Sequence, residues 1–182
     1  MSSKHNKKNE KNENKIESDY TTEIVGIRRV AQVTKGGRIF GFSVIVVCGD
    51  CKGRIGFGLG KALEVSQAIQ KATIEAQRNM IKIRLRNGTI HHTIQASHGA
   101  SNVFMAPAPS GTGVIAGNAM RAVFKVLGVE NIVAKSFGSC NPINVVRATF
   151  NGLQSMRTAR SVAERRGLSI EHVIGEAINE EA

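Results

Sequence analysis

The chain has 182 residues, of which 41% are hydrophobic and 21% charged, a composition typical of a folded globular protein. Its 25 Lys and Arg residues outnumber 14 Asp and Glu residues, and the net charge of +11 favours a polyanion, above all a nucleic acid, as the partner. The chain contains no Trp, one Tyr and seven Phe, so we expect contacts to nucleic-acid backbone and shape rather than base stacking. Three cysteines do not make a disulfide scaffold and the first residues include no apolar signal, so we expect a cytoplasmic protein without a membrane span.

The charge is distributed unevenly along the chain. Residues 1–20 are rich in Asn, Lys and Glu and too poor in apolar side chains to fold, so we expect a disordered tail. Residues 24–95 contain twelve basic and three acidic residues, whereas residues 96–155 contain four and one, and residues 156–182 four and five. The binding charge is therefore expected mainly in the first half of the folded part.

The first half has the pattern of three strands followed by a helix. Alternating apolar residues predict a strand over 24–33, and Thr34-Lys35-Gly36-Gly37 predicts a turn. Phe, Val and Ile dominate residues 38–48, and a third, short strand is predicted over 53–57. The apolar period then changes to that of a helix over 61–79.

The next segment predicts a β-hairpin. Residues 81–86 alternate strictly between apolar and basic, and Asn87-Gly88 is the favoured dipeptide of a two-residue hairpin turn. A second arm over 89–94 would place Ile94 opposite Ile81 and His92 opposite Ile83, in the core. The other face would carry basic side chains about 6.6 Å apart, close to the phosphate spacing of a nucleic-acid strand. These residues are Lys82, Arg84 and Arg86.

The second half has an α/β pattern. A strand is predicted over 103–106, a glycine-rich loop over 111–117 and a helix over 116–127. A strand over 131–136 and a helix over 141–153, opened by Asn141-Pro142, complete it.

Two glycine motifs could bind phosphate. Gly56 to Lys61 resembles a phosphate loop but lacks the glycine and the Ser or Thr of a Walker motif, so it either holds one phosphate at a helix start or allows tight packing. The segment from Gly111 to Ala116 fits the dinucleotide fingerprint, and a nucleotide-binding enzyme is the alternative that it supports. Pro107 and Pro109 stand where the buried strand of that fingerprint should run, which argues against it.

Metal and acid–base chemistry have little support. Cys48 and Cys51 form a lone CxxC on a turn, and adjacent strand residues such as His91 and His92 point to opposite faces. The few carboxylates of residues 24–155 lie in separate elements without pairing. We therefore predict no metal, no cofactor and no enzymatic activity.

The C-terminal end predicts a protein contact. Ser169 can cap a helix with a narrow apolar stripe, and the local charge is close to neutral. The stripe consists of Ile170, Val173, Ile174 and Ile178.

Several motifs together resemble one family. They are Thr34-Lys35-Gly36-Gly37-Arg38, Gly56-Phe57-Gly58 with Gly60-Lys61-Ala62, Gly111 to Gly117, Ala134-Lys135, Gly138-Ser139 and Asn144 to Thr149. In this order over roughly residues 20–170 they resemble the bacterial form of the ribosomal protein S five family, from the small ribosomal subunit.

The resemblance implies an α+β protein that binds small-subunit ribosomal RNA. It implies a double-stranded-RNA-binding-like β-β-β-α domain over 21–87, a two-layer α/β domain of the left-handed βαβ type over 88–168, and a C-terminal helix and tail over 169–182. It also implies roles in subunit assembly and translational accuracy, and a place near the channel through which messenger RNA enters. Expected partners are ribosomal proteins S four and S eight, the latter at the C-terminal stripe, and messenger RNA itself.

By position, the resemblance assigns an RNA-contacting loop to Lys35, Gly36, Gly37 and Arg38, and a basic surface to Arg28, Arg54 and Lys61. Besides Lys82, Arg84 and Arg86, the remaining candidate RNA-binding residues are Arg29, Lys52, Arg121, Lys135 and Arg147. The turn at Cys48 and Cys51 departs from the family, which has a Gly-rich turn there.

Overall fold

The computed structural model describes residues 20–174, so the tail predicted for residues 1–20 lies outside the described residues except for Tyr20. Within that range the chain forms two four-stranded sheets and five helices. The first half comprises β1 (Thr21–Thr34), β2 (Gly37–Gly49), β3 (Arg54–Ala62), α1 (Val65–Arg78) and β4 (Ile81–Lys82). The second half comprises β5 (Ile94–His98), β6 (Ser101–Pro107), β7 (Val114–Ile115), α2 (Asn118–Leu127), β8 (Ile132–Gly138), α3 (Pro142–Ser155), α4 (Ala159–Arg166) and α5 (Ile170–Ile174). No helix in residues 20–174 is long and apolar enough to cross a membrane.

The predicted β-β-β-α unit is confirmed, with one shift of boundary. Strand β3 continues to Ala62, and α1 begins only at Val65. The segment from Gly56 to Lys61 is therefore part of a strand paired with β2 and not a loop at a helix start.

The glycines of β3 explain this shift, because they form a row against a row of alanines on α1. A Cβ atom added to any of the three would lie about 2 Å from a helix carbonyl oxygen. A two-residue step along a strand is about 6.6 Å and a four-residue step along a helix about 6.0 Å, so the two rows stay matched. The pairs are Gly56 with Ala76, Gly58 with Ala72 and Gly60 with Ala68. Tight packing is thus the role of this motif.

Around residues 44–49 of β2, the first sheet is covered on both faces. Val44 and Val46 pack with Ala68 and Ala72 on the α1 side. Ile45, Val47 and Ile55 point the other way, into a core shared with the second half of the chain. Burial on both faces accounts for the uninterrupted apolar run of β2, since such a strand has no solvent side.

The predicted hairpin over residues 81–94 is wrong beyond its turn. Asn87 and Gly88 have φ values of +48° and +72°, and Arg86 and Thr89 exchange both backbone hydrogen bonds at 2.9 Å. The arms then separate: Ile81 pairs with Ile55 on β3, and Ile94 pairs with Met105 on β6. Longer neighbouring strands compete for the same backbone groups, and they bury more apolar surface than the arms would bury on each other.

The second half is a two-layer α/β unit, as predicted. Its sheet has the order β5-β6-β8-β7, with a parallel pair between β7 and β8 and antiparallel pairs elsewhere. Helices α2 and α3 supply the buried side chains that pack on the inner face, among them Phe124 and Val146. Strands β5 and β7 and helix α4 were not predicted as separate elements, and β7 lies within the predicted glycine-rich loop. The chain is therefore α+β, while the division at residue 87 stays a prediction.

Helix α5 begins as predicted. The Ser169 hydroxyl accepts the His172 backbone N–H at 3.3 Å, which satisfies one of the open donors at the helix start. Ile170 is 45% exposed and Val173 is half-buried. Ile178, the last residue of the predicted stripe, lies outside the described residues.

Candidate nucleic-acid interface

The β1–β2 hairpin forms a solvent-exposed ribbon that ends in the predicted glycine loop. All residues from Ile27 to Phe40 are exposed, and Thr34 pairs with Gly37 around the two-residue turn Lys35-Gly36. Only Gly37 has a positive φ, +141°, and a Cβ atom at either glycine would meet nothing within 4 Å. Within the part of the chain that the structure describes, the loop is therefore exposed and open to a partner.

Further down the ribbon, cations from neighbouring strands lie side by side. Ser43 pairs with Arg28 on one side and Lys61 on the other, so the two cations flank it on the same face. The Arg29 guanidinium lies 3.9 Å from the centre of the Phe40 ring, a cation–π contact that holds it in place.

A second cationic group forms at the turn before β3. The Asp50 carboxylate accepts the backbone N–H groups of Lys52 and Arg54 at 2.8 and 2.9 Å, which fixes the turn. Arg54 then pairs directly with Lys82 on β4. Like charges directly opposite on adjacent strands repel each other, and an anionic partner removes that repulsion.

The basic row of the segment 81–86 is present although the hairpin is not. Lys82, Arg84 and Arg86 are exposed, whereas Ile83 between them is buried at 6% exposure. The row therefore depends on an extended backbone with one buried side and not on the predicted partner strand.

The three candidate cations of the second half lie on different elements. Arg121 is on α2, Arg147 is half-buried on α3, and Lys135 is on β8 opposite Phe104. The strand register does not place these three residues beside the cations of the first sheet.

Within residues 20–174, the candidate RNA-binding cations form no salt bridges. Two salt bridges occur there, between Lys125 and Glu23 and between Arg160 and Glu164. None of the thirteen Lys and Arg residues proposed for RNA contact takes part in either of them.

The histidines differ from their predicted roles. His92 was expected in the core but is exposed, and its Nε2 accepts the Arg157 backbone N–H at 3.3 Å. His91 is half-buried, and its Nε2 has no partner in the described structure. Burial, reinforced by His92 and Arg86, lowers the pKa of His91, so this ring is neutral at pH 7.

The cysteine turn does not gather metal ligands. Cys48 is buried and Cys51 exposed, each beside a threonine hydroxyl of β1 at 3.7 and 3.6 Å. Among residues 20–174 no cluster of three or more His, Cys, Asp or Glu side chains could hold a metal ion.

The second glycine motif does not have the geometry of a dinucleotide site. Gly111 and Gly113 precede β7 instead of linking the end of a strand to a helix, and α2 begins only after Gly117. The Asn131 side chain accepts the Gly113 N–H at 3.1 Å, and the Gly113 carbonyl accepts the Ile132 N–H at 3.0 Å. These backbone groups serve the sheet and do not form a pyrophosphate cradle.

Sequence reasoning missed a group of cations at the start of α4. Arg157 lines the same cleft as Lys82 and Arg84, and Arg160, Arg165 and Arg166 follow on the exposed side of the helix. The summed charge of residues 156–182 is close to zero, because most acidic residues of this segment follow these cations along the chain and cancel them in the sum. Counting charge in shorter windows would have found them.

Two domain models match the chain. The model described as "Ribosomal protein S5, N-terminal domain" matches residues 20–84, and the one described as "Ribosomal protein S5, C-terminal domain" matches residues 96–166.

Similar proteins carry one description, "Small ribosomal subunit protein uS5". The protein of Coxiella burnetii is 61% identical over 151 residues, covering 83% of this chain and 90% of that protein. The protein of Alcanivorax borkumensis is 59% identical with the same coverage. The protein of Photobacterium profundum is 50% identical over 161 residues, covering 88% of this chain and 98% of that protein.

Fold, exposed cations and matched domains define a basic α+β protein of the ribosomal class. Both matched domains occur in the expected order and together span most of the described residues. The chain belongs to the ribosomal protein S5 family.

Proposed function

We propose that the chain is a structural constituent of the small ribosomal subunit that binds ribosomal RNA by charge and shape and works in the cytoplasm. One observation carries the RNA-binding part: rows of exposed cations lie beside one another across the first sheet, as at Arg54 and Lys82, without acidic partners among residues 20–174. The names of the relatives, which place those proteins in the small subunit, support the assembly in which it works.

The phosphate contacts are tested by salt dependence. Replacing Lys82, Arg84 and Arg86 by Gln should flatten the log–log salt slope of ribosomal RNA binding by up to about three, since each phosphate neutralised adds close to one to the slope. A matched variant with Lys82→Arg, Arg84→Lys and Arg86→Lys keeps the charge and should keep the slope. An unchanged slope in the Gln variant would remove this row from the interface.

The place of the protein is tested on a sucrose gradient of cell extract. A structural constituent should occur at one copy per small subunit, whereas a free-standing duplex-RNA regulator should remain mostly near the top of the gradient. Substoichiometric amounts in the small-subunit fraction would contradict the proposal.

For protein partners, the proposal includes contacts with ribosomal proteins S four and S eight and a position near the channel for messenger RNA. The partly exposed stripe of α5, at Ile170 and Val173, supports a protein contact because both positions expose apolar surface. Ile174 belongs to the proposed stripe by its position on the helix.

The contact with ribosomal protein S eight is tested by Val173→Asp. A charge in the stripe should weaken pairwise binding to that protein about tenfold or more, because a buried unpaired carboxylate is costly, while RNA binding persists. Glu171→Asp, on the same helix but with charge kept, is the control. Equal loss of RNA binding in Val173→Asp would show misfolding instead.

A further inference from the structure

A cleft lies between the basic segment after α1 and the junction of α3 and α4. Its volume is about 250 Å³, below the ~300–1,000 Å³ of pockets for drug-sized ligands, so it suits one small group and its immediate substituents. Two segments about 70 residues apart in the sequence form its walls, and neither forms a cleft alone.

The cations of the cleft come from both walls. Lys82 and Arg84 line one side and Arg157 the other, and among the described residues 20–174 no Asp or Glu lines the cleft. At the start of α4 the Thr158 hydroxyl accepts the Ser161 N–H at 3.3 Å, and the intervening N–H groups have no acceptor inside the helix. Each of these groups attracts an anion.

The cleft also has apolar walls and one unsatisfied hydrogen-bonding group. Ile83 and Leu153 are buried, and Ile81 and Met156 are half-buried beside them. His91 Nε2 is shielded from solvent and unpartnered within residues 20–174, although a buried polar atom of this kind costs free energy until it is paired. A bare phosphate would use the cations but neither the apolar walls nor the imidazole.

We propose that this cleft holds one unpaired nucleotide of an RNA, with its phosphate among Lys82, Arg84 and Arg157. The base lies against the aliphatic walls, and His91 Nε2 bonds to its edge or to the ribose hydroxyl. RNA-binding proteins commonly recognise bases that are splayed out of bulges and loops. The inference rests on the RNA binding proposed above and adds a preference for RNA with an unpaired base.

The backbone around the cleft is held in a fixed arrangement. His92 Nε2 accepts the Arg157 N–H, which requires an unprotonated Nε2, and Nδ1 then donates to its neighbour, the Thr93 carbonyl oxygen, at 2.9 Å. The first of these bonds ties the wall containing His91 to the start of α4, and the second fixes the His92 ring that accepts it. The site is therefore preorganised, which lowers the entropic cost of ordering a ligand in it.

The test compares two RNA duplexes of about 20 base pairs, one fully paired and one with a single bulged adenosine, by fluorescence anisotropy with the full chain. The length exceeds the ~16 base pairs that a double-stranded-RNA-binding domain spans. The wild-type protein should bind the bulged duplex about tenfold more tightly, the lower range of one base contact. Inorganic phosphate should not compete, whereas 5′-adenosine monophosphate should compete for the bulged duplex alone.

Gln154 is an exposed residue that lines the cleft. Gln154→Trp therefore puts a large side chain into the cleft without changing its charge. It should bring the affinity for the bulged duplex down to that for the paired one. Gln70→Trp, the same change at an exposed position of α1, is the matched control and should keep the preference. Arg157→Gln should weaken the preference as well, while its backbone bond to His92 stays available.

The outcomes separate the two proposals. Binding to neither duplex would overturn the RNA-binding proposal itself. Equal binding to both duplexes, or equal losses in Gln154→Trp and Gln70→Trp, would leave RNA binding intact and overturn the nucleotide site. Competition by inorganic phosphate or by a polyglutamate peptide as strong as that by the nucleotide would also overturn it, since the cleft would then bind only negative charge.

Discussion

At the scale of single residues, the same amino acid has opposite consequences at different positions. A Cβ atom on Gly58 would lie 2.0 Å from the Ala72 carbonyl oxygen and 2.6 Å from the Ala76 nitrogen. These are backbone atoms of α1 and cannot move aside alone. A Cβ atom on Gly36 would meet nothing within 4 Å, and this residue has no positive φ.

The first prediction concerns this pair of glycines. Gly58→Ala should lower the free energy of unfolding by about 3 kcal/mol or more, because one methyl group must push α1 away from the sheet. Gly36→Ala should change it by less than about 0.5 kcal/mol. Urea unfolding of both variants measures the difference, and similar stabilities would show that α1 is not packed tightly on β3.

The second prediction concerns the cysteines. Burial raises the pKa of the Cys48 thiol, outweighing its contact with Thr22, so its reactive thiolate forms only at higher pH and has little access to reagent. Cys51 and Cys140 are exposed. Iodoacetamide at neutral pH should label Cys51 and Cys140 in the native protein and Cys48 only after unfolding. Peptide mass spectrometry reads the sites, and native labelling of Cys48 would contradict its burial.

At the scale of elements, the β1–β2 ribbon is the part of the first sheet with least support from the core. Its apolar side chains are exposed, among them Val33 at 74% and Ile39 at 54%. A two-stranded ribbon of this kind gains little stability by itself. Its conformation on the subunit therefore depends on what its tip contacts.

The third prediction concerns the ribbon's tip. Replacing Gly36 and Gly37 by Val should leave the protein in most small subunits, because the other cations proposed for RNA contact are unchanged, but should alter late assembly or raise misreading. Val at Gly37 cannot adopt a φ of +141° without strain, and Val at Gly36 blocks close approach of RNA. Subunit profiles and a misreading reporter in cells with only the variant measure both effects.

The control for the ribbon is Gly36→Ala, which adds one methyl group in open space. It should leave the error rate near that of the wild type. If the double Val variant also has wild-type profiles and accuracy, the tip is a passive connector.

The strand Ile81–Lys82 and the helix α4 illustrate how far local patterns reach. Alternation in residues 81–86 predicted which side chains face solvent, and Asn87-Gly88 predicted the turn, since both depend only on nearby backbone. The partner strand was mispredicted because pairing depends on which distant strand buries more surface. Helix α4 has weak apolar periodicity, so the Thr158 cap is the one local sequence signal that indicates it.

At the scale of the whole molecule, the two sheets share one core. The face of the first sheet opposite α1 contributes Ile45 and Val47, and the second half contributes Phe124 and Val126 to the same cluster. The Phe57 and Phe150 rings meet edge to face with centroids 4.8 Å apart. Outside the core, Lys125 on α2 pairs with Glu23 on β1.

The fourth prediction is that the full chain unfolds in a single cooperative transition. Phe150→Ala should lower the free energy of unfolding of the whole protein by about 3–5 kcal/mol, because the buried ring supports both halves. Calorimetry and urea unfolding followed by two probes test it. Two separate transitions, with only the second-half transition shifted, would show independent domains and support a boundary near residue 87.

The sequence by itself determined the α+β class, the order of the main strands and helices, the exposure of the cationic rows and the family resemblance. The first three follow from periodicity, turn dipeptides and charge, which are read from near neighbours along the chain, and the resemblance follows from the motifs that carry it. Only the tertiary structure decided that Ile81 pairs with Ile55, that Gly56, Gly58 and Gly60 form a packing row, and that Arg157 joins Lys82 and Arg84 at one cleft. Those arrangements result from competition among distant segments for the same buried surface and hydrogen-bonding groups, which no local pattern records.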